Sequence, residues 1–272
     1  MNRLLCLAFL LTLCTSVRAQ NFSAIYQPSD AVVKSITSAG WDAFLAEHQN
    51  QRAAGFRLTD LETYKVGGNT RSFVGLYTES PLEDHVEMTS SWKDFIKLKR
   101  AMVKKEYTMI DVAAVTLNES DANFYGVWVK EANPSIHKVW LLDSRETIIK
   151  KTRDMARQRF KIKRVHVLNE LDSEPSFVVL YHFSPVNRFN FLYFADSLEE
   201  FNKEYDERKG SKVQLLDFDR FREGNTTQYV AIFQDGEYES AFATDLPIDR
   251  INAKGDSLSK AAGLKLVNLS VD

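Results

Sequence analysis

The feature that most constrains this chain is an apolar segment that returns at near-constant spacing. It reads Phe73-Val-Gly-Leu-Tyr77, Phe124-Tyr-Gly-Val-Trp128, Phe177-Val-Val-Leu-Tyr181 and Tyr229-Val-Ala-Ile-Phe233, with starts 51, 53 and 52 residues apart. A fixed period of this length marks a repeat architecture, in which one supersecondary unit buries its apolar faces only against its neighbours. Upstream of each copy lies an alternating segment, beginning at Phe56, Tyr107, Phe160 and Val213. Its period of two, with β-branched and aromatic residues, describes a half-buried strand. Turn residues separate the two segments (Gly67-Gly-Asn69, Asn118-Glu-Ser-Asp121, Asp172-Ser-Glu-Pro175, Glu223-Gly-Asn225), so each pair reads as a hairpin.

A helix precedes each hairpin. Trp41 and Phe44, Trp92 and Phe95, and Leu198 and Phe201 stand three residues apart and share one helical face. The third unit carries Arg145 at the first position and Ile148 at the second, so tryptophan is not required. Asp143 with Glu146, and Asp196 with Glu199, have capping-box spacing. The expected full units are 41–77, 92–128, 143–181 and 196–233.

The ends continue the register. Phe22-Ser-Ala-Ile-Tyr26 is a second strand lacking its first, followed by a linker to residue 40; Leu264-Lys-Leu-Val-Asn268-Leu269 is a first strand lacking its second, behind a helix expected to start near Pro247. The fold class is therefore an α+β repeat protein of about five helix-strand-strand units, the fifth split between residues 22–40 and 247–270. Pairing of the end strands would close a ring or half-barrel; an open curved sheet is the alternative. The second strand, apolar on both faces, is expected mid-sheet, with small central residues such as Gly75 and Gly126 letting a helix sit close.

Arg3, an apolar run from Leu4 to Cys14, and Val17 and Ala19 before Gln20 describe a signal peptide, residues 1–19, cleaved after Ala19. The run is too short to span a bilayer, and Leu13 before Cys14 argues against a lipid anchor. Both cysteines fall in this segment, which excludes a disulfide scaffold and a cysteine-ligated metal from residues 20–272. The expected address is secreted and extracellular.

A helix opening Trp-x-x-Phe, then Gly-Phe-x-Leu-x-Asp-Leu, a turn, and an aromatic-x-Gly-aliphatic-aromatic strand resembles the bacterial tandem-repeat domain and the N-terminal repeat region of secreted polyglycine hydrolases. Trp41, Phe44, Gly55, Asp60, Leu61 and residues 73–77 carry the resemblance. In those hydrolases the repeats accompany a serine β-lactamase-like domain, for which this chain leaves no room. Ser257 with Lys260, and Ser90 with Lys93, have the Ser-x-x-Lys spacing of that chemistry, but Lys-Thr-Gly and Tyr-x-Asn are absent. Both serines fall on repeat helices and read as caps or solvated turns. The five histidines share no repeat position. No catalytic residue, metal or cofactor is expected.

Asp60, Asp111 and Asp217 recur at one repeat position, with Arg164 and Asn268 at the same place in the other units. A calcium ring is one reading, and acceptors for turn amides are the better one, because Arg164 interrupts the carboxylates. Charge is uneven along the chain. From Arg145 to Arg164 nine basic residues stand against only Glu146 and Asp154, and Lys93, Lys97, Lys99, Arg100, Lys104 and Lys105 of the preceding unit add to them. Lys150, Lys151, Arg153, Arg157, Arg159, Lys161 and Lys163 are the polyanion-binding candidates, for an acidic or sulfated glycan or a matrix protein rather than nucleic acid or membrane. Four sequons, at Asn21, Asn118, Asn225 and Asn268, are the glycosylation candidates. The expected function is a secreted, non-enzymatic binding or matrix protein; the alternative is a hydrolase-related protein or its substrate-recognition module.

Overall fold

Three of the helices begin where a serine, Ser91, Ser144 or Ser197, accepts a backbone N–H that the first turn leaves unpaired. The computed structural model describes residues 20–67, 70–117, 121–168, 175–186, 189–209, 211–236 and 240–271. The segment read as a signal peptide, Asn118 and parts of the first three hairpin turns lie outside them. In chain order the elements are β1 (Asn21–Pro28), β2 (Val33–Ala39), α1 (Trp41–Ala53), β3 (Phe56–Gly67), β4 (Thr70–Glu79), β5 (Asp84–Thr89), α2 (Trp92–Lys104), β6 (Tyr107–Thr116), β7 (Ala122–Lys130), β8 (His137–Leu142), α3 (Arg145–Arg157), β9 (Phe160–Leu168), β10 (Ser176–Phe183), β11 (Asn190–Ala195), α4 (Leu198–Lys209), β12 (Val213–Glu223), β13 (Thr226–Asp235), β14 (Ala241–Pro247), α5 (Ile248–Ala262) and β15 (Leu264–Val271).

The strands form five antiparallel three-stranded sheets, ordered β2-β4-β3, β5-β7-β6, β8-β10-β9, β11-β13-β12 and β14-β1-β15. The strand that is apolar on both faces is the central one in every sheet. Each sheet also gains an outer strand (β2, β5, β8, β11, β14), so the expectation of two strands per unit is corrected to three. The stretch expected to be linker, up to residue 40, holds β2. The fifth sheet is built from both ends of the chain, with β1 between β14 and β15.

Capping fixes the helix starts one residue later than expected. Ser144, in extended conformation, accepts from the Thr147 N–H, and the Thr147 hydroxyl accepts from the Ser144 N–H. Ser197 likewise accepts from the Glu200 N–H at 3.1 Å. The serines are therefore the caps, and Asp143 and Asp196 lie outside them. Arg145, in the tryptophan position, stacks its guanidinium 4.7 Å from the Phe194 ring of the next unit and pairs with Asp196. Trp41 reaches Tyr125 of its own next unit at 5.0 Å between centroids. Both residues tie one unit to the next by an aromatic contact.

Alternation along the central strands explains their two apolar faces. In β10, Phe177, Val179 and Tyr181 pack with Ile148 and Met155 of α3, while Val178 and Leu180 pack with Met102 and Trp128 of the preceding unit. The same division recurs at each junction, giving five cores, one between each pair of neighbouring units. The last joins Phe22, Tyr26 and Ile251 of the split unit to Val74 and Leu76 of the first. At ~1.5–3 kcal/mol for each fully buried large side chain, a unit stripped of its neighbours loses most of its stabilisation. Gly75 meets the expected close approach of a helix, since a Cβ there would lie 3.1 Å from Phe44 of α1. Gly126 does not: the Trp128 indole of its own strand folds back across it, 2.1 Å from where a Cβ would stand.

The first-type strands β3, β6, β9, β12 and β15 line the inside, each beside the next, and β15 lies beside β3. The result is a ring of five separate sheets, so the half-barrel and the single open sheet are both corrected. Side chains, rather than a shared strand ladder, join the sheets across the axis.

Candidate functional site

Every sheet carries a β-bulge at one repeat position of its inner strand. The bulged residues are Thr59, Ile110, Lys163, Leu216 and Val267. A bulge adds one unpaired residue and re-aims the side chain that follows. Those that follow are Asp60, Asp111, Arg164, Asp217 and Asn268, and they meet along the axis. Asp111 accepts the Leu61 N–H at 2.8 Å, Asp217 the Val165 N–H at 2.6 Å and Asp60 the Leu269 N–H at 2.9 Å. Each carboxylate thus serves the backbone of the adjacent inner strand. Among the described residues these carboxylates meet strand amides rather than the expected turn amides, because the bulge turns the side chains inward.

Arg164 donates Nε to Asp111 at 3.1 Å, and Asn268 donates Nδ2 to Asp217 at 2.7 Å and to Asp60 at 3.2 Å. Burial, then the neighbouring Asp111, pushes Asp60 well above the usual carboxylate range, and burial pushes Asp217 up to about 7 against the opposing pull of Arg164. Burial works against the Arg164 cation, yet Asp217, Asp111 and Asp60 hold its pKa above the ordinary value. Two residues further along, Asp219 accepts the Val167 N–H and the Ser270 hydroxyl. The axis is a buried polar clasp. Among the described residues no group of three histidine, cysteine or carboxylate side chains is arranged to hold a metal.

The seven basic candidates fall into two groups. Lys150, Arg153, Arg157 and Arg159 are exposed on or just beyond α3. Arg157 pairs with Asp154 at 3.2 Å, and Lys151 lies 3.8 Å from the centroid of half-exposed Trp140 on β8. Lys161 and Lys163 are on β9 instead and line a cleft of about 290 Å³ at one end of the ring, with Ser135, Phe183, Ser184 and Gln234. Arg159 stands beside it, with φ at 62° and its carbonyl accepting the Ser184 N–H. Trp140, Phe183 and Gln234 were missed in the sequence, where nothing sets them apart from core strand residues.

Asn225 is exposed in the turn of the β12–β13 hairpin, and Asn21 is half-buried at the start of β1. Asn268 is 2% exposed with its amide engaged at the axis, so it is corrected from a glycan acceptor to a core residue. Ser257 and Lys260 are exposed on α5, and Ser90 lies outside α2, whose cap is Ser91. The histidines are separately employed. His182 donates to the Met109 carbonyl and His137 bonds the Ser135 carbonyl; burial lowers them to about 3 and about 4, leaving both neutral.

No helix among the described residues is long and apolar enough to cross a membrane. No curated protein matches the chain. Residues 39–80, which hold α1 and the β3–β4 hairpin, match a family model described as a polyglycine hydrolase-like structural repeat.

Proposed function

We propose that this is a secreted, non-enzymatic binding protein of the extracellular space or matrix, which holds acidic glycans on the basic side of its third unit. One observation carries the reading. Lys150, Arg153 and Arg159 are exposed and make no ion pair among the described residues, and exposed Lys93, Lys97, Arg100, Lys104 and Lys105 extend the charge onto and just beyond α2. By contrast, the carboxylates of Asp60, Asp111 and Asp217 are consumed at the axis, so they do not neutralise that surface. Exposed cations of one sign raise the local concentration of a polyanion. The N-terminal segment supports secretion, and the exposed Asn225 turn would carry a glycan freely in an organism that uses the sequon.

The match of residues 39–80 favours a second reading, a substrate-recognition module related to polyglycine hydrolases. A screen of residues 20–272 against sulfated, acidic and neutral polysaccharides at two salt concentrations separates them. Salt-sensitive binding to sulfated chains, weakened when Lys150, Lys151, Arg153 and Arg157 become glutamine, is expected. Absence of any glycan binding overturns the reading.

A further inference from the structure

The geometry points to one end of the ring as a surface that docks on anionic phospholipid, inserting the apolar tips of its loops among the headgroups. This goes beyond the glycan reading and stands independently of it. Asp217 accepts the Val165 N–H and Asp219 the Val167 N–H, so contacts advance together along β12 and β9 and these inner strands run the same way. The repeat carries that direction around the ring. Every loop from a central strand to the next outer strand therefore opens at one end, and every hairpin turn at the other. In four units the first residue of that loop (Ser29, Ser80, Ser184, Gly236) donates its N–H to the carbonyl of the turn after a helix, at Gly263, Gly55, Arg159 and Lys212 respectively. Loop tips and helix C-termini thus share one end.

The exposed apolar residues gather there. Val32, Leu82, Ile136, Val186 and Phe189 stand on these loops, the last three 64%, 55% and 51% exposed, and Phe183 joins them by donating its N–H to the Ile136 carbonyl. Among the described residues, the other exposed large apolar side chains are Val103, Leu117 and Trp140, on α2, a hairpin turn and the middle of β8. The tips are set by their own loops. Ser29 and Ser80 accept the Ala31 and Leu82 N–H groups at 3.2 Å, and the Ser184 hydroxyl donates to the Val186 carbonyl at 3.3 Å. Pro81, Pro134 and Pro185 stiffen the same segments. Pre-set loops lose little freedom on docking.

Charge names the partner. Helix C-termini favour cations, and exposed Lys104, Lys105, Arg159, Lys209 and Lys212 at this end make no ion pair among the described residues. In the loops and helix-to-strand turns the exposed acids Asp30, Glu79, Glu83 and Glu106 belong to the split, first and second units, whereas the described residues of the third and fourth carry Arg159 and Lys212. The side that meets lipid is therefore the third and fourth units, where Ile136, Phe183, Val186 and Phe189 stand beside those two cations. A second copy meeting this end would set like charges against each other. A sugar has no use for aliphatic tips without a ring to stack on. An anionic bilayer takes both, apolar side chains at the acyl boundary and cations at the phosphates. Charge along the helices gave no reason to expect a membrane; the tips do, and they come together only in the closed ring.

The test is cosedimentation of residues 20–272 with vesicles of phosphatidylcholine containing phosphatidylglycerol, and with vesicles of phosphatidylcholine alone. Binding to the first is expected, at least about tenfold stronger than to the second. Val186→Ser with Phe189→Ser should weaken it about tenfold, Arg159→Gln with Lys212→Gln about fivefold, and Leu117→Ser at the opposite end less than about twofold. Unfolding curves check that each variant is folded, and the serine tip variant should keep whatever affinity the parent has for heparin, which separates this surface from the glycan reading. In Phe189→Trp the added indole emission should be quenched by lipid brominated on its acyl chains. A serine tip variant that binds vesicles like the parent, or an unquenched indole, overturns insertion. A parent that binds no vesicles overturns the docking surface. A parent that sediments as a dimer, with the serine tip variant a monomer, overturns it in favour of a second copy.

Discussion

The backbone N–H of Leu269, three residues from the end of the chain, donates to the Asp60 carboxylate of the first full unit at 2.9 Å. The last strand, β15, is thereby held to β3 at the axis. Asp60 also accepts from Asn268, so its removal leaves two buried donors without that acceptor. Asp60→Ala should destabilise by ~2 kcal/mol in urea unfolding, the usual penalty of an unpaired buried group. Asp60→Asn should lose less than half of that, because burial already favours the uncharged form of Asp60 and the amide oxygen still accepts. Equal losses in the two variants would show that charge, not acceptance, matters at this position.

The axis also makes stability depend on pH. Asp217 is raised from 3.8 to about 7 on folding, so between those values the native state holds a proton that the unfolded chain releases. Its contribution is complete below about 3.8 and is lost as pH rises through about 7. His137 and His182 act oppositely: lowered from 6.5 to about 4 and about 3, they favour folding more as pH rises towards 6.5. Asp217→Asn separates the two effects. Across pH 5 to 8 the parent should lose stability relative to this variant, and a difference that stays flat would refute the assignment.

The parts of the fold legible in the sequence are those in which one apolar pattern decides burial. The central strands and the helix faces repeat because each lies between two units and has no solvent face. The first outer strand was illegible for the opposite reason. In β2, Val33–Ala39, no residue is buried, so Val-Lys-Ser-Ile-Thr-Ser-Ala carries no clean alternation and resembles a loop. The axis was half-legible. The recurrence of Asp60, Asp111 and Asp217 announced a shared role, but which backbone N–H each would meet depends on the bulge before it and on the neighbouring unit. The cleft was less legible still. Lys161 and Lys163 look continuous with the helix charges in sequence, and only the pairing of β9 separates them.

Close packing of one central strand can be tested directly. A Cβ at Gly126 would sit 2.1 Å from the Trp128 indole, whereas Gly224, at φ 59° in an exposed turn, has nothing within 4 Å. Gly126→Ala should therefore cost about 3 kcal/mol through overpacking, and Gly224→Ala about 1 kcal/mol through backbone strain alone. Chemical unfolding of the two variants side by side checks the order, and a larger loss at Gly224 would contradict the packing around Trp128.

Closure of the ring predicts that the position of the chain ends is arbitrary. Phe22 pairs with Val271 across β1 and β15, so the ends already stand where the other four units have a hairpin turn. A two-residue Asn-Gly link from Val271 to Asn21 supplies such a turn, and the exposed Gly224–Asn225 turn can be cut to provide new ends. The permuted chain should fold with one unfolding transition within ~1 kcal/mol of the parent, since every strand pairing survives and only loop entropy changes. Deleting residues 20–28 from the parent should instead prevent folding, because β1 is the central strand of the fifth sheet and fills two of the five cores. A deletion variant with a parent-like transition would mean that the first four units hold together without closure.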